Sequence, residues 1–381
     1  MTASYRPAWA EVDTSAVAAN VALLRRLVAP ARLCAVVKAD GYGHGAVAVA
    51  RAALGAGASM LAVALVEEAV TLREAGIDAP VLLLTEAPAD GLEALCALGG
   101  SPTVYSEAGI AQAAAAATRL GRPVAVHLKV DTGMHRVGAD AGDVAALAGL
   151  VADSGPLSLG GLWTHFAVAD DPADAFTAAQ IERFEAAAGA VRARGVEPAM
   201  RHAANSAGAI AHPRSRYDLV RCGIACYGHA PSAAVAAHLA GLLGPGERLR
   251  PALALKARVH SVRRLAAGER TSYGRTYELA SDALVANVPL GYADGLRRQL
   301  GSSGAAVLIK GRRRRIAGRV TMDQLIVDCG NDAEVRPGDE VVLIGRQGSE
   351  EITAEEWAER LGTIVYEVLC GIGPRVPRRA V

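Results

Sequence analysis

Short apolar runs alternate with longer amphipathic stretches through the first two-thirds of the chain. Leu33, Ala35, Val36 and Val37 make one such run, and others lie at 61–63, 81–84, 124–130 and 159–163. Runs without polar alternation suit strands buried on both faces, as in a parallel sheet. Between the runs come helical stripes such as Val17, Val21, Leu24 and Val28, which follow Asp13, Thr14 and Ser15 as a capping cluster. Repeated strand-helix units over roughly 235 residues predict an α/β architecture, a TIM-type (β/α)8 barrel of about the usual 250-residue size. A doubly wound sheet is the alternative, but GYGHG at 41–45 lacks the GxGxxG spacing of its dinucleotide fingerprint.

From about Pro245 the texture changes. The segments 253–262, 283–288, 305–310, 325–327 and 340–344 are strand-length and separated by glycine turns, which predicts a C-terminal mainly-β domain. The stretch GLLGPGERLRP marks the boundary, giving a barrel over 1–245 and the second domain over 246–381.

Composition agrees with two buried cores, since 381 residues exceed one typical domain and 51% of them are hydrophobic. A formal net charge of +1 from 40 basic and 39 acidic residues gives no reason to expect nucleic acid or an anionic membrane as partner. The four consecutive arginines Arg312, Arg313, Arg314 and Arg315 lie between two strand-like runs and read as a solvated hairpin. The six cysteines are scattered without a CxxC pair, so no metal site is expected and reduced thiols are the default. No basic segment followed by an apolar one opens the chain, and a cytoplasmic protein is expected.

The chemistry centres on Lys38, which closes the run 33–37 where the glycine-rich loop begins. In parallel α/β folds the loops beyond the strands' carboxyl ends hold the active site. A lysine there is either a salt-bridge partner or a partly desolvated amine able to form a Schiff base, and the residue alone leaves both open. Its context does more: VVKADGYGHG at 36–45 resembles the cofactor-lysine segment of the alanine racemases, which are pyridoxal 5'-phosphate (PLP) enzymes of barrel-plus-β-domain type. AWAEVDTSAVAANV at 8–21, VHLKVDTGMHRVG at 126–138, GLWTHFAVAD at 161–170, HAANSAG at 202–208 and DLVRCGIACYG at 218–228 also resemble family segments, in order. So do TSYGRTY at 271–277, VPLGYADG at 288–295, GRVTMDQ at 318–324, and YEVL and RVPR within 366–378. Together they span nearly the whole chain. Pro374, just before RVPR, stands at a place that varies in the family.

The resemblance implies a role for each matching residue. Lys38 holds PLP and acts as a base on one face of the substrate. Arg221 faces the pyridine nitrogen, where a cation disfavours protonation and weakens the ring as an electron sink, favouring racemisation over transamination; the residue's alternative reading is a pair with Asp218. Tyr42, Asn205, Ser206, Gly223, Ile224 and Tyr366 receive the phosphate, with Ser206 taken alone also reading as a plain helix cap. His165 lies against the cofactor ring. Tyr273 is the second base, delivered from the second domain of a partner subunit, so a homodimer with shared sites is implied. Arg136 lies near that phenol and the substrate carboxylate, and Lys129 matches a position carbamylated in many members. Tyr292, Met322 and Asp323 match residues around the substrate entrance. The implied reaction is interconversion of L- and D-alanine, supplying D-alanine for peptidoglycan. A serine-preferring or broader racemase uses the same residues, and a single-barrel PLP-binding protein or a decarboxylase of similar plan are further alternatives. The second domain weighs against the former and Arg221 against the latter.

Overall fold

The computed structural model describes residues 5–332 and 334–381, and the chain divides into two compact units. The first comprises Ser15–Gly41 and Ala46–Pro251. Eight parallel strands run through it: Arg32–Val36, Met60–Val63, Val81–Leu83, Thr103–Val104, Val124–Asp131, Leu157–Trp163, Arg201–His202 and Leu219–Cys222. Leu219–Cys222 pairs with Arg32–Val36, which continues through Met60–Val63 to Val81–Leu83. A parallel bridge from Leu82 to Ser101 leads to the other four strands. Two further backbone hydrogen bonds link the ends of these two sheets, from Asp218 N–H to the Arg201 carbonyl at 3.1 Å and from Arg221 N–H to the Ala204 carbonyl at 2.9 Å. Helices such as Ala46–Gly55, Val66–Glu74, Glu107–Leu120 and Phe176–Ala193 alternate with the strands. This is the (β/α)8 plan, and it explains the uninterrupted apolar runs: Met60–Val63, Val81–Leu83 and Leu219–Cys222 are buried at every residue. The stripe Val17, Val21, Leu24 and Val28 is the buried face of helix Thr14–Val28.

The second unit gathers residues up to Thr14, the turn Tyr42–Gly45 and Ala252–Val381. The texture change near 245 therefore becomes a division at Pro251/Ala252, with the N-terminal strand Ala8–Val12 pairing antiparallel to Leu253–Arg258 and parallel to Arg378–Ala380. The sheet is otherwise antiparallel, and Leu253–Arg258 alternates buried and less buried residues as a one-sided sheet requires. Residues 253–262, one run in the sequence, form two strands, Leu253–Arg258 and Ser261–Leu265, that pair with different neighbours.

The arginine run forms the strand Arg312–Ile316, joined to Ala306–Ile309 by Lys310 and Gly311, both at positive φ as a two-residue hairpin turn needs. Its side chains find partners within the unit. Arg313 pairs with Glu350 and Glu356, Arg314 turns inward to Asp332 and the Cys329 carbonyl, and Arg315 lies 5.7 Å from the Tyr277 ring centre. No helix among the described residues is long and apolar enough to cross a membrane.

Leu82 is fully buried, at the middle of the strand Val81–Leu83. Leu82→Ala is expected to lower stability by about 3 kcal/mol through lost burial and the cavity left behind, read as a fall in the thermal midpoint.

Candidate active site

Lys38 sits half-buried just beyond the strand Arg32–Val36. The backbone after it is left-handed at four successive residues, with φ of 52° at Ala39, 50° at Asp40, 62° at Gly41 and 52° at Tyr42. Asp and Gly tolerate that conformation, but Ala and Tyr each lose roughly 1–2 kcal/mol in it. Hydrogen bonds hold it in place: Gly41 N–H donates to the Val37 carbonyl at 2.9 Å, Ala46 N–H to Asp40 Oδ1 at 2.8 Å, and Ala39 N–H to Glu68 Oε1 at 2.6 Å. Strain over-determined in this way is characteristic of functional sites.

Arg221, on strand Leu219–Cys222, is 3% exposed. Its Nη2 donates to the carbonyls of Thr164 at 2.8 Å and Ala203 at 3.0 Å and to His165 Nδ1 at 3.3 Å; its Nη1 donates to His202 Nδ1 at 2.9 Å. Asp218, the alternative partner, instead accepts from the Arg201 N–H at 2.7 Å. An arginine only donates, so His202 must accept at Nδ1 and carry its proton on Nε2. That proton can only be donated to His127 Nδ1, 2.9 Å away. The chain of donors thus runs one way, from Arg221 through neutral His202 to neutral His127. Burial foremost, then the Arg221 charge, holds His202 well below its ordinary pKa and His127 down at about 4. Burial also lowers Arg221 to about 10, which leaves it a cation at neutral pH.

Room for this chain comes from two glycines on Leu157–Trp163. A Cβ on Gly161 would lie 2.4 Å from His127 Nδ1, and one on Gly160 only 3.0 Å from the Ala125 Cβ. Trp163, at the end of the same strand, stacks on His202 with 5.6 Å between ring centres, and both Arg221 and Lys129 Nζ stand 4.5 Å from its ring centre.

Lys129 is 3% exposed. Burial first, then Arg221 and Arg136, push it down to about 7. His165 is lowered well below its usual value by burial and then by Arg221, Lys129, Arg136 and Lys38. Burial and the basic side chains around it therefore keep this imidazole neutral. Arg136 itself is exposed, on a loop organised by Asp131, which accepts from the N–H groups of Gly133 at 2.9 Å and His135 at 3.1 Å.

Asn205 is the cap of helix Ser206–Ala211, its side chain accepting from Gly208 N–H at 2.9 Å. Ser206 is therefore not the cap. Its Oγ accepts from Gly223 N–H at 2.9 Å, which ties the two predicted phosphate segments together and leaves its own hydrogen to donate. The first N–H groups of that helix and of the turn Ile224–Tyr227 have no intrahelical acceptor, an arrangement able to receive an anion. A strand-end amine, a buried guanidinium hydrogen-bonded to neutral acceptors, and free amide donors beside a hydroxyl fit PLP's aldehyde, pyridine nitrogen and phosphate respectively.

In the second unit Tyr42 and Tyr366 lie with ring centres 6.0 Å apart. Gly43 allows this packing, since a Cβ there would lie 2.4 Å from the Leu369 carbonyl oxygen. Tyr273 is 68% exposed on a turn whose neighbours Ser272, Gly274 and Arg275 all have positive φ. Tyr273 and Thr321 line one groove, and Tyr292 and Met322 are exposed nearby in the hydrogen-bonded order: Tyr292 N–H donates to the Thr321 carbonyl at 2.9 Å and Ala293 N–H to that of Met322 at 3.0 Å. Gly291 permits that docking, its Cβ position being 2.3 Å from the Met322 carbonyl oxygen. Asp294 underlies the arrangement. Fully buried, it accepts from Gly291 N–H and pairs with Arg6 at 2.8 Å and Arg375 at 3.3 Å; Arg375 also holds Asp323 at 2.7 Å.

Sequence reasoning missed His127, His202, Trp163, Asp131 and Asp294. One signal was available: His127 and Lys129 are polar residues inside the run 124–130, which a purely structural strand would fill with apolar side chains.

The family profile "Alanine racemase, N-terminal domain" matches residues 12–231 and "Alanine racemase, C-terminal domain" matches 252–380. An alanine racemase of Symbiobacterium thermophilum is 50% identical over 374 residues, 98% of this chain and 97% of its own. The crystal structure of alanine racemase from D-cycloserine-producing Streptomyces lavendulae superposes with a TM-score of 0.91 at 39% identity, covering 100% of this chain and 98% of that one. A histidine racemase from Leuconostoc mesenteroides does so with a TM-score of 0.89 at 30% identity, covering 100% and 99%.

His127, His165 and His202 are neutral in the fold and gain a proton more readily when unfolded. Between pH 6.5 and about 4 the unfolded chain binds more protons, so stability present above pH 6.5 is lost on acidification; for His127 alone the loss approaches about 3 kcal/mol. Thermal midpoints of the His127→Asn variant, measured across that window, are expected to fall less steeply with pH than those of the wild type.

Proposed function

This chain belongs to the alanine racemase family, and we propose that it interconverts L- and D-alanine with PLP, using Lys38 and Tyr273 as the two acid-base groups. The observation that carries the reading is Arg221, a buried cation whose partners are carbonyls and neutral histidines. When bound, PLP withdraws electrons from the amino acid's Cα and so acidifies its proton. The rest falls to the chain. Lys38 Nζ anchors the cofactor and moves a proton to or from Cα on one face. Tyr273 Oη does the same on the other, because a single group that removes and returns the proton on one side tends to retain configuration. Arg221 discourages protonation of the pyridine nitrogen, which limits side reactions such as transamination. Arg136 binds the substrate carboxylate. Asn205, Ser206, Gly223 and Ile224 hold the phosphate with Tyr42 and Tyr366, and His165 packs against the ring. Tyr292, Met322 and Asp323 form the entrance.

Lys129 is a carbamate in this reading. A buried amine with a pKa near 7 is largely neutral at pH 8. The amine nitrogen bonds to the carbon of CO2 and loses a proton, replacing a cation crowded by Arg221 and Arg136 with an anion that pairs with them.

Tyr273 at 68% exposure is a large aromatic left to solvent within its own unit, which supports its delivery to a partner subunit in a homodimer. The buried, unbridged thiols of Cys34, Cys96, Cys222, Cys226 and Cys329 support a cytoplasmic setting. D-alanine would then feed peptidoglycan. A broader or serine-preferring specificity is the second reading, and the likeness to a histidine racemase supports it.

Purified protein with PLP is expected to equilibrate L-alanine faster than L-serine or L-histidine in a chiral separation. Failure to racemise alanine would overturn the reading. Lys38→Ala is expected to abolish both visible PLP absorbance and activity, and Tyr273→Phe to lower activity by about 10²–10⁴-fold while sparing cofactor binding. Mixing the two inactive variants after dissociation should restore roughly one quarter of wild-type activity if sites are shared in a dimer, and none if each chain works alone.

A further inference from the structure

We propose that Gln180 is a positioning residue for racemisation, its side-chain amide fixing the segment 164–167 that carries His165 and the carbonyl holding Arg221. The proposal rests on the reading above in one respect, that His165 and Arg221 face the cofactor.

Gln180 lies in helix Phe176–Ala193, where its side chain is fully buried. A glutamine with no exposure is uncommon and must find partners for both ends of its amide. Here Oε1 accepts from Ala167 N–H at 2.9 Å, and Nε2 donates to the His165 carbonyl at 3.2 Å and to Thr132 Oγ1 at 3.1 Å. The loop after strand Leu157–Trp163 is thus clamped at two points by one planar group.

The hydroxyls beyond have a fixed direction. Thr132 Oγ1 accepts from Gln180 and so turns its own hydrogen to Thr164 Oγ1, 2.8 Å away. Thr164 passes its hydrogen to the Val130 carbonyl at 2.9 Å. Both threonines are buried, and the chain ends on the strand that carries His127 and Lys129. Thr164 is then gripped from two sides: its hydroxyl belongs to the Gln180 chain, and its carbonyl accepts from Arg221 Nη2 at 2.8 Å. His165 is gripped likewise, its carbonyl by Gln180 and its Nδ1 by Arg221. Arg221 must give two hydrogen bonds to adjacent residues of one loop, so a shift of that loop moves the guanidinium or breaks a bond to it.

The required property is a donor at Nε2 and an acceptor at Oε1, which a glutamate cannot supply when ionised. In Gln180→Glu the carboxylate still accepts from Ala167 but opposes the His165 carbonyl; once protonated it donates again. Burial raises such a carboxyl's pKa, so the defect should shrink as pH falls. Gln180→Leu removes all three bonds at similar volume.

The test combines hydrogen exchange of the cofactor-free protein with kinetics of the PLP-loaded enzyme. In both variants the peptide covering 164–168 is expected to exchange faster than in wild type at pH 8. There kcat should fall roughly 10-fold or more while KM for alanine stays within about 2-fold. For Gln180→Glu, the ratio of its kcat to that of wild type should rise from pH 8 to pH 6; for Gln180→Leu it should stay flat. Wild-type kcat in both variants would overturn the proposal, as would lost activity without faster exchange at 164–168. A pH-independent deficit in Gln180→Glu would also overturn it. His165→Gln, assayed alongside, separates the two claims: unchanged kcat and PLP absorbance there would remove the role of His165, while the exchange data still decide whether Gln180 holds the loop.

Discussion

The barrel is organised around a guanidinium buried without a carboxylate partner among the described residues. Taking an ion out of water costs several kcal/mol, and Arg221 recovers this through charge-assisted hydrogen bonds to two carbonyls and two imidazoles and through the face of Trp163. Those partners come from the strands ending at Trp163 and His202 and from the loops just after them. The cation therefore ties neighbouring strand ends together, and the fold must bring the ring round for it to be satisfied.

That constraint propagates outward. Because Arg221 only donates, the two histidines are neutral acceptors with assigned tautomers, and the strand facing His127 has Gly160 and Gly161 where side chains would collide. Burial lowers Lys129 and His165, and because the cation is not neutralised its field lowers them further. The result is a cluster of basic side chains at the strands' carboxyl ends. It is suited to an anionic cofactor and a carboxylate substrate. Lys38 enters the same field from a left-handed turn that several hydrogen bonds keep strained.

The mainly-β unit solves a different problem, which is to hold exposed side chains in fixed positions. Tyr292, Met322 and Asp323 have little packing of their own, and two backbone hydrogen bonds and the buried Asp294 supply the order that packing does not. Arg375, part of the RVPR element, joins Asp294 to Asp323. The otherwise unexplained C-terminal motif thus supports the entrance loops.

Much of this was legible in one dimension. Apolar runs and helical stripes report burial on one or two faces, a property local residues carry themselves, so the barrel, the β-rich second part and the strand-end lysine followed from pattern, and the ordered motifs carried the family. Other features depended on which distant segments meet. Residues 8–12 and Arg378 gave no sign in the sequence that they belong to the C-terminal sheet, where pairing places them. Gln180 carries no sequence signal of function, and the motif that begins at His202 does not say what that histidine bonds to, because a hydrogen bond's direction exists only once donor and acceptor are within about 3 Å. The sequence alone determined which groups are available and roughly where along each element they sit; only the tertiary structure decided their protonation, their partners and their order, since burial and the field of Arg221 arise from residues far apart in the chain.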